Sequence, residues 1–309
     1  MFQLSNGKNK RELVEESWKK EEYIEELMMQ IDTHVRQLVD VFRFVLKYRI
    51  LFRGSGVEFA SLREYVPGQD DAIRIDWKAS LRANKLYIRQ YEEERDLDVY
   101  ILLDSSSSML LGTQEKLKSE YAAIVCGAIA YAAIESGDNV GFGMFNDKIL
   151  FSLEPAGDMT QYYKILRHVV DPQYYGGKCN LGESLNYLIN ILQPRTILFI
   201  ISDFIGLDKN WSDSLKMIGG KLDRIIGIMS RDIRDSKLPE NLGYMKFKDP
   251  FSDKMMTVDV DNIRDEYNYL AEKQEKNIEN EFQGVGLGFV KVYTTEPFVE
   301  PLIRYLTIE

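Results

Sequence analysis

The residues with the clearest chemical meaning are Asp104, Ser106 and Ser108, which follow directly on the apolar run Val99–Leu103. A carboxylate and two hydroxyls at alternate positions put three oxygen donors on a short arc. That is the ligand chemistry of a hard divalent cation such as Mg²⁺ or Mn²⁺, bound directly or through water. The apolar run before them predicts a central strand, and in open α/β sheets ligands gather outside the carboxyl ends of the strands. The same spelling has a plainer use, because Asp and Ser after a strand often cap the next helix.

If the first loop binds a cation, two further stretches should reach the same sheet edge. Gly176-Gly177-Lys178-Cys179-Asn180-Leu181-Gly182 precedes a predicted helix, and Ser202-Asp203-Phe204 ends a predicted strand. The enzymatic alternative is a metal-dependent phosphohydrolase using Asp104, Asp203 and nearby hydroxyls. It finds little support. An aspartyl-phosphate mechanism would want Asp at position 106, which is Ser, and Gly176-Gly177-Lys178-Cys179 is not a P-loop. No general base accompanies these groups, so a non-enzymatic protein is expected.

The elements that must position the loops alternate from about Leu97 onward. Strands are predicted at Val99–Leu103, Asn139–Phe145, Ile149–Leu153, Thr196–Ser202, Arg224–Met229 and Val285–Tyr293. Helices fill the gaps at about Glu115–Ser136, Met159–Val170, Leu181–Leu192, Asn210–Gly219, Asn262–Gln283 and Pro297–Tyr305. The continuous apolar runs suit parallel strands covered on both faces, giving a doubly wound sheet. Residues 238–261 read as a β-hairpin insertion, expected to join a small β-rich region built from residues 46–92. Ahead of that, Ile24, Leu27, Met28, Ile31, Val35, Leu38, Phe42 and Val45 form the stripe of an amphipathic helix, expected to pack on its own chain. Arg74, Lys78 and Arg82 recur at helical spacing as a basic stripe. Trp77 and Tyr65 have a structural reading as core anchors.

A chain of 309 residues accommodates two domains, divided here as an N-terminal accessory region, 1–96, and an α/β domain, 97–309. The net charge of −10 argues against general nucleic-acid binding, which needs a basic footprint. Cys126 and Cys179 lie far apart and outside any zinc spacing, and two histidines leave little material for His-based chemistry. No segment approaches the roughly 20 apolar residues that span a bilayer, and the start reads as no signal peptide. A soluble, cytoplasmic protein is expected.

Together the Asp-x-Ser-x-Ser loop, the Gly-rich loop and the strand-terminal Ser202-Asp203 resemble the metal-ion-dependent adhesion site of von Willebrand factor A domains, over roughly residues 97–309. A more specific likeness lies in Gly54-Ser-Gly-Val-Glu-Phe59, Arg63-Glu-Tyr-Val-Pro-Gly68, Arg74-Ile-Asp76-Trp77-Lys-Ala79 and Leu86-Tyr-Ile-Arg89-Gln-Tyr91-Glu-Glu-Glu-Arg95. These resemble the signature of the domain of unknown function 58 family. The resemblance implies an A-like sheet, a non-enzymatic adaptor role and partnership with MoxR-type AAA+ ATPases in protein remodelling or activation. It implies Asp104, Ser106 and Ser108 as metal ligands, Asp203 as the late acidic ligand, and an acidic side chain of a protein partner completing the coordination. Cys179 stands where A domains usually offer Thr, and a soft thiol is a poor ligand for a hard cation. Asn180 or water is the substitute, and a vacant site is left open, as is a metal-independent interaction module. Arg63, Arg74, Asp76 and Arg89 are the signature residues expected to touch a partner.

Overall fold

The structure is a computed structural model describing residues 24–37, 59–66, 75–83, 85–91, 98–252 and 254–308. The chain forms two compact units, Leu46–Asp96 and a body made of Met1–Val45 with Leu97–Glu309. Helix α1 runs through residues 24–37. Within Leu46–Asp96, strands β1 (Phe59–Glu64) and β2 (Tyr87–Tyr91) pair antiparallel, and helix α2 (Trp77–Ala83) lies between them in sequence. The Oδ1 of Asp76 accepts from the Ala79 amide at 3.1 Å, capping α2.

The body is built on six strands: β3 (Asp98–Asp104), β4 (Asn139–Phe145), β5 (Ile149–Ala156), β6 (Ile197–Ser202), β7 (Arg224–Arg231) and β10 (Gly288–Tyr293). Their order is β10-β7-β6-β3-β4-β5, and only β5 runs antiparallel to its neighbour. The chain therefore builds outward from β3 to one side, then returns to its other side with β6. This reversal makes a topological switch point between the carboxyl ends of β3 and β6. The connecting helices are α3 (Lys118–Glu135), α4 (Met159–Val170), α5 (Leu181–Ile191), α6 (Trp211–Gly219), the short α7 (Ile233–Ser236), α8 (Val260–Gly284) and α9 (Val299–Ile308).

Burial explains the composition of these elements. Residues Ile197–Ser202 of β6 are all buried, as a central strand covered on both faces requires. Helix α3 is apolar nearly all round because it is covered on two sides, by the sheet and by α1. Ile31 and Val35 of α1 are buried, and a Cβ at Gly127 of α3 would come within 3.2 Å of Val35. Polar contacts fix the same seam: Tyr162 donates to Asp32 at 3.0 Å, and the Arg36 guanidinium lies 5.2 Å from the Tyr131 ring centroid. On the sheet, the ring of Tyr100 in β3 lies across Gly141 and Gly143 of β4, its hydroxyl donating to the Phe142 carbonyl at 3.2 Å.

Four expectations need correction. The helix at 24–37 belongs with the body, not with the β-rich accessory region, because its apolar stripe is spent on α3 and α4. The insertion at 238–261 does form a hairpin, β8 (Tyr244–Lys248) with β9 (Met255–Asp259), but as a separate two-stranded sheet assigned to the body. Trp77 is 62% exposed rather than a core anchor. Val285 to Leu287 do not begin the last strand. They close α8 instead, with the Val285 and Leu287 amides both donating to the Phe282 carbonyl and Gly286 at φ +72°. Arg74, Pro67, Gly68 and the helix stripe beyond residue 37 lie outside the described residues, as do the side chains of Arg63, Lys78 and Arg89.

Candidate metal centre

Asp104 ends β3 at the switch point, and Ser105 to Ser108 lead into a 3-10 turn at Ser107–Leu110. Asp104, Ser106 and Ser108 are all buried. The Ser106 and Ser108 hydroxyls stand 3.1 Å apart. Two oxygens at adjacent vertices of an octahedron with ligand distances of about 2.1 Å are separated by about 3 Å, so the pair is already spaced as one edge of a Mg²⁺ shell. The Oδ1 of Asp104 accepts from the Ser106 amide at 2.8 Å, and Oδ2 accepts from the Ser202 hydroxyl at 2.6 Å and the Cys179 thiol at 3.3 Å. Burial, then the charge of Asp203, raise the Asp104 carboxyl to about 6, against the opposing pull of these hydrogen bonds.

The Gly-rich loop is sewn to the first loop by backbone bonds. Gly176 donates to the Ser105 carbonyl at 2.8 Å, and Ser107 donates to the Gly177 carbonyl at 3.1 Å. Gly177 is at φ +75°, a left-handed backbone conformation that favours glycine. This stitching delivers Cys179 to Asp104. Burial, then the charges of Asp104 and Asp203, push the Cys179 thiol well above its ordinary value, which keeps it a protonated donor. Asn180 serves as the N-cap of α5, its side-chain oxygen accepting from the Glu183 amide.

Asp203 follows β6 into a loop where Phe204 adopts φ +53°, rare for a bulky residue. The turn lets Asp203 Oδ1 accept from the Ile205 amide at 2.9 Å. Its Oδ2 accepts from the ammonium of Lys118 at 2.7 Å, and the same ammonium donates to Asp235 Oδ2 at 2.8 Å. The Lys118 side chain is fully buried. Burial works to remove its proton, but Asp203 and Asp235 outweigh it and hold the ammonium above its ordinary range. Asp235 is set by a capping box at α7, where its Oδ2 also accepts from the Asp232 amide at 3.0 Å.

The donor set therefore fits a hard cation at the first loop and departs from the expected set elsewhere. Asp104, Ser106 and Ser108 converge, and Cys179 and Asp203 reach the same edge. Among the described residues, no three His, Cys, Asp or Glu side chains are grouped to hold a metal by themselves, so a cation here would rest on the hydroxyls. Sequence reasoning placed Ser202 at this edge as part of the strand-terminal motif, without its hydrogen bond to Asp104, and missed Lys118 and Asp235. One signal was present: Lys118 is the lone cation of a helix whose residues 121–134 are all apolar, aromatic or small.

Loops converging at the switch point of a doubly wound sheet define an α/β protein whose candidate site is carried on one sheet edge. The chain belongs to the family described as Protein of unknown function DUF58, whose model matches residues 61–277. It is 25% identical over 259 residues to Uncharacterized protein Mb1516 of Mycobacterium bovis, covering 83% of this chain and 80% of that protein. BatB from Bacteroides thetaiotaomicron matches at TM-score 0.44 and 15% identity, covering 68% of this chain and 97% of that one. The SpRpn10 VWA domain matches at TM-score 0.39 and 10% identity, covering 68% and 94%. The fold class is α/β, a mostly parallel central sheet flanked by helices, with von Willebrand factor A domains among its structural neighbours.

Proposed function

We propose that this protein is a non-enzymatic adaptor that engages a partner at the carboxyl edge of its sheet, through a divalent cation held by Asp104, Ser106 and Ser108. The supporting observation is the preassembled first loop, with two buried hydroxyls 3.1 Å apart beside a buried carboxylate at the switch point. Mg²⁺ or Mn²⁺ would supply a Lewis-acidic contact there for an acidic side chain of the partner. The partner class is a MoxR-type AAA+ ATPase, carried by the family likeness. Non-catalysis is supported by the commitments of the acids: Asp104 accepts from Ser106, Ser202 and Cys179, and Asp203 from Ile205 and Lys118. The cytoplasm is the proposed compartment. No helix among the described residues is long and apolar enough to cross a membrane, and Cys126 and Cys179 are both free.

A metal-independent interaction module is the second reading, favoured by the Lys118 bridge, which neutralises Asp203 without an ion. A tagged pull-down from native lysate separates the two when run with Mg²⁺, with chelator, and with Asp104→Ala. An AAA+ ATPase captured only with Mg²⁺ and intact Asp104 is the expected result. Capture that ignores both chelator and the substitution would leave only the second reading.

A further inference from the structure

Lys118 is the strongest feature at the site that the adaptor reading does not use. Its ammonium is fully buried, bonds Asp203 and Asp235 at 2.7 and 2.8 Å, and so ties the loop after β6 to the turn after β7. Lys and Asp side chains are seldom fully buried unless paired, and breaking such a pair strands a charge. With Lys118 on one oxygen and the Ile205 amide on the other, Asp203 already has a cationic partner and an amide donor. A divalent cation approaching Asp203 would have to displace the ammonium or stand beside it against like-charge repulsion.

We infer that Lys118 is the standing counter-ion of Asp203, so that a divalent cation is held through Asp104, Ser106 and Ser108 while the lysine sets how weakly it binds. This rests on the reading of the first loop as a cation site. Asp203, Lys118 and Asp235 together carry one negative charge. Removing Lys118 alone raises that to two and frees a carboxylate oxygen for the cation. Removing Lys118 and Asp203 together leaves the charge where it was.

The test is Mn²⁺ binding to the full chain, read as loss of the free-ion signal in electron paramagnetic resonance. Lys118→Met is expected to bind Mn²⁺ at least about tenfold more tightly than the native protein, and Lys118→Met/Asp203→Asn within about threefold of it. Asp104→Asn is expected to lose binding. Circular dichroism reports whether each variant folds, and should Lys118→Met fail, the charge-matched double variant decides. Loss of Mn²⁺ in the double variant to the level of Asp104→Asn would make Asp203 a ligand and overturn the inference. So would a folded Lys118→Met with unchanged or weaker affinity, or no binding by any variant. Because no partner is present, a chain that behaves as expected here and captures no ATPase refutes the adaptor reading and leaves this inference standing.

Discussion

Asp104 carries an energetic cost alongside the binding role proposed for it. Its carboxyl is raised to about 6 by burial and by Asp203, whereas an Asp in the unfolded chain titrates near 3.9. Between those values the folded protein holds a proton that the unfolded chain has released, so this residue makes stability fall as pH rises through that window. Asp104→Asn cannot ionise. In chelator it is expected to match the native protein below about pH 4 and to exceed it by roughly 3 kcal/mol above about pH 7. Denaturant unfolding at both pH values measures this, and a difference independent of pH would refute it. At this scale the site was half legible. Asp104, Ser106 and Ser108 are close in sequence and share one strand end, so spacing alone brings them together. Lys118 meets Asp203 at a sequence separation of 85 and Asp235 at 117, and such pairings leave no mark on the local pattern.

At the scale of elements, periodicity was a good guide wherever one element ends cleanly. Asn139–Phe145 and Met159–Val170 are formed over the span their patterns predict, the helix being capped by Asp158, whose side chain accepts from the Gln161 amide at 2.8 Å. Reading failed at Val285 to Leu287, because apolar residues that pack a helix terminus look the same as those that begin a strand. It also could not say why β4 carries two glycines. The structure answers this through Tyr100, since a Cβ at Gly141 would lie 2.5 Å from its ring. Gly141→Ala must push a buried aromatic off two neighbouring strands, and is expected to cost about 1–3 kcal/mol. Urea unfolding checks this, and an unchanged midpoint would show that the ring has room to move.

Across the whole molecule, the two thiols sample different depths of the same core. Cys126 lies inside α3, where burial alone pushes its thiol well up, while Cys179 sits on a loop. Both are buried and free. Alkylation of the native protein at neutral pH is expected to be slow at each, with Cys179 reacting through local opening and Cys126 only through global unfolding. Mass spectrometry across a denaturant series separates the two, and equal protection of both thiols would mean that the loop opens only with the fold. Whole-molecule organisation was the least legible level, because α1 declares an apolar face without saying where that face goes. Its destination matters for how the chain is made. The body is discontinuous, with α1 encoded before Leu46–Asp96 and its seat on Gly127, Tyr162 and Tyr163 encoded after. During synthesis α1 therefore leaves the ribosome roughly 130 residues before the last part of its own binding surface, an interval of about 7–26 s at ordinary elongation rates. For that interval the nascent chain carries an unpaired apolar helix, and a chaperone or a neighbouring copy has its one unobstructed opportunity to hold it.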